Sequence, residues 1–295
     1  VYAVVVGWVL WYLFKAVTTG FVGVDAAVAE AQFAAVLDSN WGMLFWTLAG
    51  LLITGLIIYA GVKEGIERAV TVMMPLLFML LVGLASYNYF AFSGGFEAAS
   101  DWLFSPDFSK IGFSTVLVAI GQAFFSLSVA MAGMMVYGSY LPKNVSISHS
   151  VLLIVAVFQH GMYPAAGAGL IFQTLPVAFA QMPGGYLFAV LFFLMLAVAG
   201  ITSMVGLVES VTAWLEDRFQ MPRHQSALLV VGSVAVFSVI SILSYNLWGE
   251  FRIGGLNFND TMDFFSNQIL LPLGGLCIAL FAGWVMSRES SRDEL

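Results

Sequence analysis

Seven stretches of about 20 residues run through this chain with Lys15 and Glu209 as their only charges: Tyr2 to Thr18, Met43 to Val62, Val70 to Phe92, Val116 to Leu141, Leu187 to Leu215, Ala227 to Leu247 and Phe264 to Met286. A helix of that length matches a hydrocarbon core of about 30 Å. In lipid every backbone N–H and C=O must find its partner inside the structure, so the expected fold is an all-α integral membrane bundle. Composition agrees: 61% of residues are hydrophobic and 9% are charged, whereas soluble domains carry roughly a quarter charged residues.

Charge outside the spans sets the expected orientation. Lys63, Arg68, Lys143, Arg218, Arg223, Arg288 and Arg292 fall in loops that alternate with loops holding only Lys110 and Arg252. Basic residues collect in cytoplasmic loops. The first span is therefore expected to start on the cytoplasmic side of the plasma membrane and residues 287–295 to return there. Residues 20–41 are expected outside, with an Ala-rich helical stretch, as is a hairpin of short helices at 164–185. Lys143 and Arg218 both fall inside, so a further crossing must lie between them, and Ser150 to Phe158 is the uninterrupted apolar run there. About ten residues at 1.5 Å each reach only half of the core. A half-length or re-entrant segment at about 147–160 is expected. Cys277 is the sole cysteine, so there is no intrachain disulfide. No basic cluster points to nucleic acid.

One span is built for more than crossing. Gly121-Gln122-Ala123-Phe124-Phe125-Ser126-Leu127-Ser128-Val129-Ala130-Met131-Ala132-Gly133 places an amide, two hydroxyls and two glycines at mid-depth. Hydroxyls and freed carbonyls there offer an ion or polar solute what it leaves behind in water. A discontinuous helix is expected near Ser128 to Gly133. A second cluster is Ala199-Gly200-Ile201-Thr202-Ser203. Ala199, Thr202 and Ser203 stand at i, i+3 and i+4, hence on one face. Their oxygens suit a hard cation such as Na⁺, and they equally suit close helix packing with hydroxyls bonded back to the preceding turn. Glu209 lies seven residues beyond Thr202, about 10 Å further along the helix. A buried acid in a span is costly, and both a functional role and a fixed structural link remain open. No Walker motif, HExxH or GxSxG occurs, and no nucleophile stands beside a base, so an enzyme is not expected.

These clusters, in this order, resemble the neurotransmitter:sodium symporter family. Tyr2-Ala3-Val4-Val5-Val6-Gly7-Trp8 is similar to its third helix, and Lys63 to Arg68 with Met74-Pro75 to the link between helices four and five. Gly121 to Ser128 is similar to helix six, Ala199 to Ser203 to helix eight, and Met262-Asp263-Phe264 to the start of helix ten. The resemblance implies a LeuT-type inverted-repeat bundle in one membrane domain, with residues 1–92 from the first repeat and 111–286 from the second. It implies sodium-coupled transport of an amino acid or related small solute, with Na⁺ as coupling ion and chloride dependence open. It implies that Tyr2 holds the substrate carboxylate, that Phe125 closes over the substrate and that Ser126 is shared with a first sodium site. Ser128, Met131, Ser203 and Leu207 would line the substrate pocket. Ala199, Thr202 and Ser203 would hold a second sodium, and Asp263 would serve as the acid of the outer gate.

The departures shape the expectation. Counterparts of helices one and two and of any beyond ten are lacking, Ala130 stands where glycine is common, and the seventh helix is short. The chain is expected to be inactive by itself. A non-transporting membrane protein of the same fold and a proton-coupled transporter titrating Glu209 are the alternatives.

Overall fold

The computed structural model describes residues 1–60, 170–182 and 184–281, with isolated positions between 75 and 86, between 112 and 123, and at 284. All its named elements are helical, and a single bridge pairs Ile253 with Leu256. They are α1 (Tyr2–Thr18), α2 (Ala26–Asp38), α3 (Asn40–Ala60), α4 (Leu175–Gln181), α5 (Gly185–Phe219), α6 (Arg223–Leu243), α7 (Phe258–Phe264) and α8 (Leu271–Leu280). Among the described residues four helical runs are long and apolar enough to cross a membrane: Asn40–Tyr59, Gly185–Phe219, Arg223–Leu243 and Phe258–Leu280. The expected Ala-rich loop helix is α2, whose first turn is closed by Asp25 accepting from the Val28 N–H at 2.8 Å.

The apolar helices approach through small residues. A Cβ on Gly7 of α1 would meet Thr47 Oγ1 at 2.7 Å and the Thr47 backbone N at 2.9 Å, so α1 and α3 touch backbone to backbone there. A Cβ on Gly200 of α5 would come within 3.1 Å of Val6. This is how helices associate in lipid, where burying apolar surface gives no advantage and close van der Waals contact does. α1 thus sits between α3 and α5, and α6 packs on both of those helices. At the α2 end an aromatic cluster joins the layers. Trp8 meets Phe33, Phe172 and Tyr245 edge-on with centroids 5.5, 5.9 and 5.6 Å away. Tyr12 and Phe193 close the cluster from α1 and α5.

Two π turns share one cause. Leu170–Thr174 runs into α4, whose second residue is Pro176, and Phe265–Leu270 runs into α8, whose second residue is Pro272. Proline supplies no N–H and its ring clashes with the carbonyl four residues back. A wider turn just before it accommodates both, the single-turn π insertion often found at functional sites. The first turn belongs to the expected short-helix hairpin, of which 170–182 is described. The expected break near Ser128 to Gly133, the half-length segment at 147–160 and residues 287–295 lie outside the described residues.

Candidate functional site

α5 is 35 residues long, far more than a straight crossing needs, and its two sides differ. Met204, Val205, Gly206, Val208 and Glu209 are buried, whereas Ala199, Thr202 and Leu207 are half-buried and Ser203 is exposed. The stripe of small and hydroxyl residues is therefore the face that the described helices leave open. On it the Thr202 hydroxyl donates to the Ala199 carbonyl at 3.0 Å, the bond back to the preceding turn that close helix packing also uses.

α1 crosses beside this face, held there by the Gly200–Val6 contact. The consequence is that Tyr2 lies beside the Ser203 side chain. Asp263 lies on α7. Its carboxylate is steadied within the helix by the Asn267 side-chain amide at 3.0 Å. Tyr245, in the loop before α7, has its phenol pushed well above the usual range by burial, with the charges of Asp260 and Asp263 adding to it. The structure therefore sets Tyr2 of α1 beside the α5 face that carries Ala199, Thr202 and Ser203, with Asp263 on α7.

Phe125, Ser126, Ser128 and Met131 lie outside the described residues. The start of their segment is fixed nonetheless. A Cβ on Gly121 would collide with the Asn267 carbonyl, so this backbone lies directly on the π turn one helical turn beyond Asp263. Only a glycine permits that approach.

Glu209 does not join the open face. It is 1% exposed and takes both oxygens to Arg223 Nη2, at 2.8 and 2.9 Å. Arg223 also donates from Nε to the Ile58 carbonyl at 3.1 Å and has Glu216 3.6 Å from Nη1. One guanidinium thus ties α6 to α5 and to the last turn of α3. Sequence reading took Arg223 as a loop charge only. The signal for more was its position: it follows Pro222 at the first residue of a helix, where a cation opposes the helix dipole and so needs an acid nearby.

Among the described residues no group of three His, Cys, Asp or Glu side chains could hold a metal. What the site offers a cation is neutral oxygen, from the Thr202 and Ser203 hydroxyls and the Ala199 carbonyl, the donor type that hard cations take.

Comparison with known proteins places this geometry. Residues 154–294 match the model of the Sodium:neurotransmitter symporter family. An uncharacterized sodium-dependent transporter of Bacillus subtilis is 31% identical over 100% of this chain and 68% of its own length. One from Haemophilus influenzae is 30% identical over 99% of this chain and 68% of its own. The crystal structure of MhsT in complex with L-phenylalanine is similar at a TM-score of 0.91 and 33% identity, covering 99% of this chain and 70% of that one. The chain therefore spans about two thirds of the length of these proteins, with the all-helical membrane fold of MhsT. The matched proteins are transporters, not enzymes. This chain belongs to the Sodium:neurotransmitter symporter family, as a multi-pass membrane protein.

Proposed function

We propose that this chain is the helix-three-to-ten part of a sodium-coupled amino-acid symporter. The observation that carries the reading is the packing of α1 through Val6 on Gly200, which sets Tyr2 beside the open α5 face of Ala199, Thr202 and Ser203. A carboxylate accepts hydrogen bonds, and the Tyr2 hydroxyl is a donor beside this face. Na⁺ takes the oxygens of Ala199, Thr202 and Ser203, within reach of the same carboxylate. Ion and substrate then neutralise each other in a low-dielectric site, which couples their binding. Ser126, with Phe125, Ser128, Met131 and Leu207, supplies the rest of the pocket and the first sodium site. The match to MhsT with L-phenylalanine supports an apolar or aromatic amino acid as substrate.

Asp263 stands where an acid can close the outer side. The end bearing Arg223 is cytoplasmic and the end bearing α2 and α7 faces outward, by the distribution of basic loops. The bidentate bond to Arg223 supports Glu209 as a fixed charge rather than a proton carrier.

The test is binding of tritiated L-phenylalanine to the purified protein, expressed from the whole reading frame that carries this sequence, in Na⁺ and in K⁺. Saturable binding in Na⁺ that disappears in K⁺ is expected. Equal binding in both salts, or binding in neither across a panel of apolar amino acids, would remove the reading.

A further inference from the structure

The backbone carbonyl of Asn267 loses both of its helical partners. In an α-helix it would accept from the N–H of Leu271, four residues on. Leu271 instead donates to the Ser266 carbonyl, five residues back, as a π turn requires. The wider spacing passes the Asn267 carbonyl on to residue 272, which is proline and has no N–H. The combination of π turn and Pro272 therefore frees one acceptor inside the apolar run Phe258–Leu280. Lipid supplies no water to such a group, so it needs a partner from the protein.

Gly121 is what meets it. A Cβ there would collide with the Asn267 oxygen, and would stand 3.0 Å from the carbonyl carbon and 3.5 Å from the Gln268 Cα. A Cα hydrogen takes the place of that missing Cβ, and so it points at the oxygen. Cα–H···O=C contacts recur where helices approach this closely. Gly121 is buried and helical. Both sides of the contact are backbone, so the fit depends on the course of two helices and not on a rotamer.

Asn267 also acts through its side chain, whose amide donates to the Asp263 carboxylate at 3.0 Å. One residue thus holds Asp263 with its amide and faces Gly121 with its carbonyl. We propose that the Asn267 carbonyl is the docking point for the segment that opens at Gly121, and that Asn267 is a positioning residue that sets this segment and Asp263 in one frame; the second part rests on the gate role proposed for Asp263. A shift of the Gly121 segment then moves the π turn and, with it, the carboxylate.

The experiment is a double-mutant cycle on Gly121→Ala and Pro272→Ala in purified protein from the whole reading frame, read by dissociation of tritiated L-phenylalanine in Na⁺ and by melting temperature. Gly121→Ala drives a methyl group into a carbonyl that the proline holds out of its helix, and should speed dissociation about tenfold. Pro272→Ala restores an N–H, lets the turn close as α-helix and draws the carbonyl back, for an effect of about threefold. The double variant should match Pro272→Ala alone, since the retracted carbonyl leaves room for the methyl. Asn267→Ala keeps the carbonyl but frees Asp263, and should also speed dissociation about threefold. Additive effects in the double variant, about thirtyfold, overturn the docking, as does unchanged dissociation in folded Gly121→Ala. Unchanged dissociation in Asn267→Ala overturns the link to the gate. If Gly121→Ala does not fold, a folded double variant sustains the docking and an unfolded one overturns it. If the unaltered protein binds no amino acid, the symport reading falls by itself. Melting temperature then decides the docking: Gly121→Ala must lower it and added Pro272→Ala must restore it, or the docking falls too.

Discussion

Arg223 and Glu209 are joined by two hydrogen bonds through a single guanidinium nitrogen, with the carboxylate almost wholly buried and the arginine side chain one-third exposed. Fourteen residues of chain, including the turn at Gln220 in its left-handed conformation, fold back to allow it. The pair closes one end of the bundle by linking three helices, since the same arginine caps the Ile58 carbonyl. Such a latch holds α3, α5 and α6 in fixed register below the proposed binding face.

Removing one partner of this pair is expected to be severe. Arg223→Gln takes both hydrogen bonds of this guanidinium from a carboxylate that is 1% exposed, and breaking a buried pair costs about 3 kcal/mol. Glu209→Gln keeps one acceptor for the guanidinium and should cost less. Thermal unfolding in detergent, followed by tryptophan fluorescence, should rank the wild type above Glu209→Gln and Glu209→Gln above Arg223→Gln. Equal melting temperatures for all three would show that the link carries no stability.

The helix seam between α1 and α3 makes a second test. Gly7→Ala brings a methyl group within 3.0 Å of Thr47 backbone atoms, which cannot move aside as a side chain could. Overpacking of this kind costs about 1–3 kcal/mol. Gly232→Ala on α6 meets nothing within 4 Å and should leave stability unchanged or slightly raised. A melting temperature for Gly7→Ala equal to that of Gly232→Ala would contradict the packing described.

The spans that fall on described residues were legible in sequence because lipid leaves the backbone so few choices. Tyr2 to Thr18 was bounded correctly, the two ends of α5 came close, and α2 falls within the expected loop at 20–41. α6 begins at Arg223 and not at Ala227, because a charged first turn lowers local hydropathy without breaking the helix. The face of Ala199, Thr202 and Ser203 could be read from the 3.6 period. That Ser203 meets Tyr2 could not, since the contact depends on how closely Gly200 lets α1 approach. The Glu209–Arg223 pair escaped for a similar reason. Helical spacing puts Glu209 near the Thr202 face, and only the packing of α6 decides which neighbour covers it.

Orientation gives a third prediction. Single cysteines, introduced in a Cys277→Ser background, should react with a membrane-impermeant maleimide from outside intact cells at Val22, which is 87% exposed in the α1–α2 loop. A cysteine at Gln220, in the α5–α6 turn, should react only after the membrane is opened. The opposite pattern would invert the proposed topology.

The sodium and substrate roles can be separated on one face. Thr202 donates to the Ala199 carbonyl, so Thr202→Ala removes one candidate Na⁺ ligand without touching Tyr2. It should raise the Na⁺ concentration needed for half-maximal amino-acid binding by about tenfold, the effect of losing roughly 1.4 kcal/mol. Amino-acid affinity at saturating Na⁺ should stay near that of the wild type. Tyr2→Phe removes the hydroxyl beside Ser203 and leaves the ring. It should weaken amino-acid affinity at saturating Na⁺ by tenfold or more, since a charge-assisted hydrogen bond is worth about 1.5–3 kcal/mol. Its effect on Na⁺ binding measured without amino acid should be small. Scintillation proximity binding with ²²Na⁺ and with a tritiated amino acid reads both quantities. If both variants shift both ligands equally, the two hydroxyls act through general packing of α1 on α5 and not as separate ligands.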